Sequence, residues 1–353
     1  MDLFNNIYKN KKVFVTGDTG FKGSWLCIWL HELGANVYGY SLPPLTKQDN
    51  FVTTNITSKI KHVDGDVRDK EKLQNYFNEV KPDIAFHLAA QPLVIESYNN
   101  PHYNFETNLM GTVNFFEAVR NCPSVKAAVN VTTDKCYQNL EQNIAYNEED
   151  KMGGDDPYSA SKGCSELITH SYLKSFFAKE NTANIASARA GNVIGGGDWA
   201  DNRILPDMMR SYKNKDVSMI RNPQSVRPWQ FVLEPLFGYL KLGEKLFTDG
   251  KSFSGGWNFG PYPNETYTVN DVINEVQKII PAIKTKISTS TEKLHEANLL
   301  QLNIEKAIGK LDWKPKLNFS ETIQFTINGY FQELENKDIY QARVEQIKAY
   351  CNK

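Results

Sequence analysis

Cysteine is sparse and unpaired in this 353-residue chain. The five, Cys27, Cys122, Cys136, Cys164 and Cys351, are scattered, odd in number and never in a C-x-x-C pair. A structural zinc motif and a disulfide framework are therefore not expected. Six histidines are equally dispersed, without an H-x-x-x-H pair, and no metal site is expected either. Long apolar runs are missing: no window approaches the roughly 18 residues of a membrane span. The opening MDLFNNIYKNKK lacks the apolar core of a secretory signal, so the expectation is a cytoplasmic protein with no membrane contact. Neither charge is in excess, with 40 Lys plus Arg against 41 Asp plus Glu, and nothing points to a nucleic-acid partner. No internal repeat or low-complexity segment is found.

What is present is a globular composition, 41% hydrophobic and 23% charged, enough for one large or two moderate domains with a full core. KKVFVTG is a β-branched run ending in glycine, and GFKGSWLCIWLHELGA after it has helical periodicity with its own glycine stop. ANVYGYS, HVDGDV, DIAFHLAA and KAAVNVTT follow as strands, separated by helical stretches such as NLMGTVNFFEAVRNC. This alternation predicts an α/β fold with a doubly wound, mostly parallel sheet covered on both faces. After about residue 190 the pattern loosens into glycine-, proline- and asparagine-rich loops. VLEPLFGYLKLGEKLF and GGWNFG then rejoin the sheet. The expected division is a dinucleotide-type domain over 1–190, rejoined by about 232–262, and a smaller α/β substrate domain from 191–231 and 263–353, with PAIKTKISTSTEKLHEANLL in the latter.

TGDTGFKG sets Gly17, Gly20 and Gly23, with Phe21 among them, between the first strand and the first helix. Glycines there permit a tight turn and let backbone approach a pyrophosphate, whose charge the helix amino terminus favours. A plain tight turn with close helix packing would need the same residues. The second strand ends in Tyr40 and Ser41, where an acid that binds the ribose hydroxyls of NAD is usual. No arginine follows for a 2′-phosphate, and NAD remains the expected cofactor. Asp66 is a candidate for the adenine amino group, with Val67 supplying backbone beside it; the plainer reading of Asp66 is a helix cap. Ala89 and Ala90 are expected to line the nicotinamide side through their backbone. His87 reads as a buried, hydrogen-bonded histidine with no catalytic role.

DDPYSASKG places Tyr158 and Lys162 four residues apart, on one helix face. A phenol with an ordinary pKa of about 10 becomes a base only beside positive charge, which Lys162 and a nicotinamide cation would supply. Spacing alone proves little, because Tyr8 and Lys12 share it and are expected at the surface. What distinguishes Tyr158 is that its helix follows the strand ending in VTTDKCY. There, reacting groups at the carboxyl end of a parallel strand are set against the reading of TDK as a mere cap and surface ion pair. Cys136 and Tyr137 are expected to pack.

The glycine loop TGDTGFKG, HLAAQP, TNLMGT and YSASK together resemble the extended short-chain dehydrogenase/reductase family, whose members act on nucleotide sugars. GFKGSWL, AAQPLV, TTDKCY, RAGNVIGGGDWA, RNPQSVRPWQFVLEP and GWNFGP resemble its 4,6-dehydratase branch across nearly the whole chain. That resemblance implies CDP-glucose as substrate and tightly held NAD. The sugar would be oxidised at carbon 4, lose water across carbons 5 and 6, and recover the hydride at carbon 6. Thr133 would bond the 4-hydroxyl beside Tyr158, and Asp134 would protonate the departing 6-hydroxyl. Lys135 stands where related dTDP-glucose dehydratases have a glutamate base, and is expected to be the base at carbon 5 or to stabilise the enolate. Asn192, Arg203 and Arg227 would hold the diphosphate. Trp199 and Trp229 would either pack on the base or close the domain interface. An epimerase would keep the threonine and the Tyr-Lys pair without needing Asp134, and a non-catalytic NAD sensor would need only the glycine loop. The resemblance also implies a homodimer or homotetramer built on the helix that carries the Tyr-Lys pair and the helix after TNLMGT.

Overall fold

The computed structural model describes residues 3–288, 300–335 and 338–353. Part of PAIKTKISTSTEKLHEANLL therefore lies outside the described residues. The seven principal strands are β1 (Lys12–Thr16), β2 (Asn36–Ser41), β3 (Lys61–Asp64), β4 (Ile84–His87), β5 (Ala127–Val131), β6 (Asn184–Ala190) and β7 (Gly255–Phe259). They form one sheet in the order β7-β6-β5-β4-β1-β2-β3, every pairing parallel. The order reverses beside β1, and the crevice over the carboxyl ends at such a switch point is where ligands bind in open α/β sheets. The expected doubly wound architecture is the one observed.

The principal helices are α1 (Phe21–Glu32), α2 (Lys70–Val80), α3 (Gly111–Arg120), α4 (Pro157–Ser175), α5 (Ile204–Asn214), α6 (Leu233–Thr248), α7 (Val269–Ile279), α8 (Phe319–Leu334) and α9 (Ile339–Cys351). Residues Gly23 to Leu30 of α1 are buried without interruption, as a helix apolar on all sides must be. Trp25 and Trp29 fill the space between the sheet, α6 and α9. The opposite face is covered by α2, α3 and α4 through Phe77, Phe115, Phe116 and Tyr172. A third core gathers Met208 and Met209 of α5, Val272 and Val276 of α7, and Ile323 and Ile327 of α8, away from the sheet. β7 pairs with β6, and α6 packs beneath it, so the chain returns to the sheet after an excursion into that smaller body.

The surface expectation fails for Tyr8, while Lys12 is half-buried. Tyr8 is buried, its hydroxyl donating to the Leu240 carbonyl at 2.6 Å, and Lys12 Nζ donates to the Val80 carbonyl at 2.9 Å. The segment before β1 closes the bottom of the sheet, far from the carboxyl ends, and a tyrosine there anchors α6. Among the described residues no helix is long and apolar enough to cross a membrane.

Candidate active site

Three glycines fix the loop from β1 to α1. Gly17 has φ +76°, and a Cβ there would lie 2.6 Å from the Ala89 nitrogen; one on Gly23 would lie 2.0 Å from the Gly17 carbonyl. The loop is thus pressed against the end of β4 while the first N–H groups of α1 face the crevice. That cradle fits a dinucleotide diphosphate. Asp18, which the glycine pattern left unread, is buried under it. Its carboxylate accepts from Ser41 Oγ at 2.9 Å and from His62 Nδ1 at 2.7 Å, and a second carboxylate, Asp64, lies 3.1 Å from His62 Nε2. Carboxylates at both ring nitrogens make His62 a double donor, the imidazolium form. Burial acts to lower its pKa, and the bonds and charges of Asp18 and Asp64 outweigh that and raise it. Ser41 therefore serves the loop, also meeting Thr19 Oγ1 at 2.8 Å, in place of the acid usual at that strand end.

Asp66 does not cap α2; Asp69 does, accepting from the Lys72 amide at 3.0 Å. The Asp66 carboxylate is instead clasped by Arg68, with Nη2 at 2.6 Å, which holds its pKa down against burial. The Val67 carbonyl accepts from Asn114 Nδ2 at 2.9 Å. Ala89 and Ala90 are half-buried in the segment after β4, and Gln91 beside them is locked by Asn108, whose Oδ1 receives the Gln91 amide at 2.8 Å. Asn108 Nδ2 also donates to Ser161 Oγ at 2.9 Å, tying this segment to α4. His87 is buried and hydrogen-bonded, as expected: its Nδ1 meets Thr16 Oγ1 at 2.7 Å, and burial, then the Lys162 charge, push its pKa down to about 3.

β5 delivers the reacting groups. Asp156 caps α4, accepting from the Ser159 amide at 2.9 Å, and Pro157 opens its first turn, which aims Tyr158 at the end of β5. Tyr158 hydrogen-bonds Thr133, and Thr133 Oγ1 donates to Asp134 Oδ1 at 2.9 Å, so phenol, hydroxyl and carboxyl form one buried chain. Burial pushes the Tyr158 pKa up to about 12, the Thr133 bond opposing it. Burial likewise raises Asp134, against Lys135, Thr133 and Arg227. Asp134 Oδ2 has no hydrogen-bond partner among the described residues. Lys162 Nζ lies 3.4 Å from the Val131 carbonyl, its pKa lowered by burial to about 8. Lys135, half-buried, adjoins this chain through its amide, 3.4 Å from Thr133 Oγ1. Cys136 and Tyr137 are buried.

The second body closes over these groups. A Cβ on Gly191 would meet Asp134 Oδ2 and Pro228 Cγ, each at 2.6 Å, so RAGNV and VRPW converge on the carboxyl group. Asn192 is held there by its carbonyl, which accepts from the Gln230 amide at 3.0 Å. Arg227 is buried, and Arg203, half-buried, pairs with Asp198 at 2.8 Å while its charge reaches Tyr158. The indole N–H groups of Trp199 and Trp229 are spent on Glu333 and on the Tyr267 carbonyl, at 2.7 and 3.2 Å. Both tryptophans therefore pack within the second body. Among the described residues no group of three metal-ligating side chains gathers.

Beneath the site lies a polar network that no motif announced. Glu166, one turn beyond Lys162, accepts from Thr132 Oγ1, from Ser187 Oγ at 2.7 Å and from Arg189 Nη2 at 2.8 Å. Arg189 Nη1 also donates to Tyr137 at 2.6 Å. The one sequence signal was the i, i+4 placement of Glu166 after Lys162. Replacing Glu166 by leucine strands a buried guanidinium, and the expected loss in urea unfolding is about 3–5 kcal/mol. A loss below about 1 kcal/mol would show that Arg189 finds adequate partners without it.

A glycine loop at the switch point of a parallel sheet, with a Thr and a Tyr-Lys pair meeting over it, defines a short-chain dehydrogenase/reductase of the extended type. A family model described as GDP-mannose 4,6 dehydratase matches residues 14–326, and the chain belongs to that family of nucleotide-sugar enzymes. CDP-glucose 4,6-dehydratase of Salmonella typhimurium is 43% identical over 351 residues, 98% of each chain. CDP-paratose 2-epimerase of Salmonella typhi is 31% identical over 335 residues, 89% of this chain and 97% of its own. A solved structure of dTDP-glucose 4,6-dehydratase from Bacillus anthracis, in complex with NAD, superposes with TM-score 0.76 at 22% identity, covering 94% of this chain and 99% of that one.

Proposed function

We propose that this protein converts CDP-glucose to CDP-4-keto-6-deoxyglucose by an NAD-dependent 4,6-dehydration. The observation that carries the reading is Asp134: a buried carboxyl with one oxygen unpartnered among the described residues, joined through Thr133 to Tyr158, in a chain 43% identical to a CDP-glucose 4,6-dehydratase. Gly17, Gly20, Phe21 and Gly23, with Asp66, Val67, Ala89 and Ala90 along the cradle, would hold NAD, which would supply the hydride acceptor for carbon 4 and the hydride donor for carbon 6. Lys162 holds the nicotinamide ribose and supplies positive charge beside Tyr158. Tyr158 takes the 4-hydroxyl proton while Thr133 orients that hydroxyl. The new ketone acidifies the proton at carbon 5, which Lys135 removes or whose enolate it stabilises. Burial shifts Asp134 toward its protonated form, the form that gives its proton to the leaving 6-hydroxyl, so that step slows as pH rises through the Asp134 pKa.

Asn192, Arg203 and Arg227, at the convergence of the second body on Asp134, hold the substrate diphosphate, and residues 191–231 and 263–353 form the nucleotide-sugar half of the molecule. A homodimer or homotetramer through α3 and α4 is the expected assembly, in the cytoplasm, where nucleotide sugars and NAD are at hand. The test is incubation with CDP-glucose and, separately, dTDP-glucose, with NAD, followed by mass spectrometry. Loss of one water from the CDP sugar alone supports the reading. A changed sugar configuration at unchanged mass would replace it with an epimerase, and NAD binding without turnover of either sugar with a sensor.

A further inference from the structure

A lysine that the sequence patterns did not single out stands in the middle of the site. Lys22 is the second residue of α1, between Gly20 and Gly23, and its Nζ lies 5.9 Å from the centroid of the Tyr239 ring on α6. The charges that act on it come from three other parts of the fold: Lys162 on α4, Arg203 just before α5, and Asp134 after β5. Burial first, then the two cations, push the ammonium down to about 7, Asp134 opposing them. Two buried polar atoms around it have no hydrogen-bond partner among the described residues, Asp134 Oδ2 and the Tyr239 hydroxyl. Tyr239 in turn lies within the electrostatic reach of Tyr158 and Asp134.

Three cations and one carboxyl of raised pKa thus converge where the first turn of a helix presents its N–H groups. An excess of positive charge over the glycine loop is the chemistry of an anion site, and the anion that reaches this loop is a nucleotide diphosphate. We propose that Lys22 binds the diphosphate of the dinucleotide on its own loop and takes up a proton as that diphosphate arrives. The proposal rests on the NAD reading above. Two negative phosphates beside an amine favour its charged form, and linkage then requires proton uptake wherever the unliganded amine is partly neutral.

The test is calorimetric titration of the full chain with NAD near pH 7.5, in two buffers of different ionisation enthalpy, on wild type, Lys22→Met and Lys22→Arg. Because burial and the neighbouring cations lower the Lys22 ammonium to about 7, wild type is expected to take up a fraction of a proton per NAD, which both variants lose. Lys22→Met is expected to bind NAD about 10- to 100-fold more weakly, and Lys22→Arg, whose charge never titrates, to stay within about 3-fold of wild type. Circular dichroism and melting temperature check that both variants fold. If all three proteins bind NAD with equal affinity and equal proton uptake, the inference fails while the NAD reading stands. If wild type does not bind NAD, the NAD reading itself fails. A parallel titration with CDP separates the two diphosphates: a proton count that changes with Lys22 for CDP and not for NAD would assign the lysine to the substrate and overturn the proposal.

Discussion

Replacing Asp134 by asparagine is expected to halt the elimination while leaving the oxidation at carbon 4 in place. The amide keeps the shape of the carboxyl and can still accept from Thr133, whose hydroxyl lies 2.9 Å from Oδ1. What it cannot do is give up a proton to a leaving hydroxyl. General acid catalysis of this kind is worth about 10²- to 10⁴-fold, and product formation should fall by that factor. The carboxyl lies beneath Gly191, where the second body closes over it. The two readouts are 4-keto-6-deoxy sugar by mass spectrometry and the absorbance of reduced nicotinamide, which should build up on mixing with CDP-glucose. Turnover within about 10-fold of wild type would remove Asp134 from the acid's role.

Tyr158→Phe should fail one step earlier. Without the phenol nothing takes the 4-hydroxyl proton, so neither product nor reduced nicotinamide should form, with a loss of again about 10²- to 10⁴-fold. The unliganded chain holds Tyr158 in its neutral form, with burial lifting its pKa to about 12. The phenolate therefore has to be made by the positive charge that accompanies the bound cofactor, and Tyr158 is a base only in the loaded enzyme. The pair of variants separates the steps: Asp134→Asn stalls after oxidation and Tyr158→Phe before it. Equal accumulation of reduced nicotinamide in both would contradict the division of labour.

The sheet was legible because a doubly wound fold writes itself into local pattern. KKVFVTG, ANVYGYS and DIAFHLAA each carry β-branched or aromatic residues bounded by glycine or polar turns, and their parallel pairing follows from the helices between them. The Tyr-Lys pair was legible only through its place after VTTDKCY. The same spacing at Tyr8 and Lys12 led to a surface expectation, yet the ring of Tyr8 is buried and its hydroxyl bonds a carbonyl 232 residues away. Long-range partners of that kind leave no local trace.

The same reason hid three further features. Asp18 and His62 meet only because β1, β2 and β3 run side by side, with Ser41 paired to Asp64 in the register. Glu166 finds Ser187 and Arg189 across the step from α4 to β6, and Thr132 at the end of β5. Lys22 was not singled out, since nothing in GFKG reveals that α6 brings a tyrosine ring beside it. In each case an ionisable group in an apolar or glycine-rich stretch was the available signal, and its partners came from the tertiary fold.

The account centres on an internal redox cycle in which the hydrogen taken from carbon 4 returns to carbon 6 of the same sugar. The most direct test is to supply CDP-glucose carrying deuterium at carbon 4, with unlabelled NAD, and to locate the label in the product by mass spectrometry and proton NMR. Retention of the deuterium, now in the new methyl group at carbon 6, is the predicted result. A dehydrated product whose methyl group carries no deuterium, with the label lost to solvent or left on released cofactor, would contradict it.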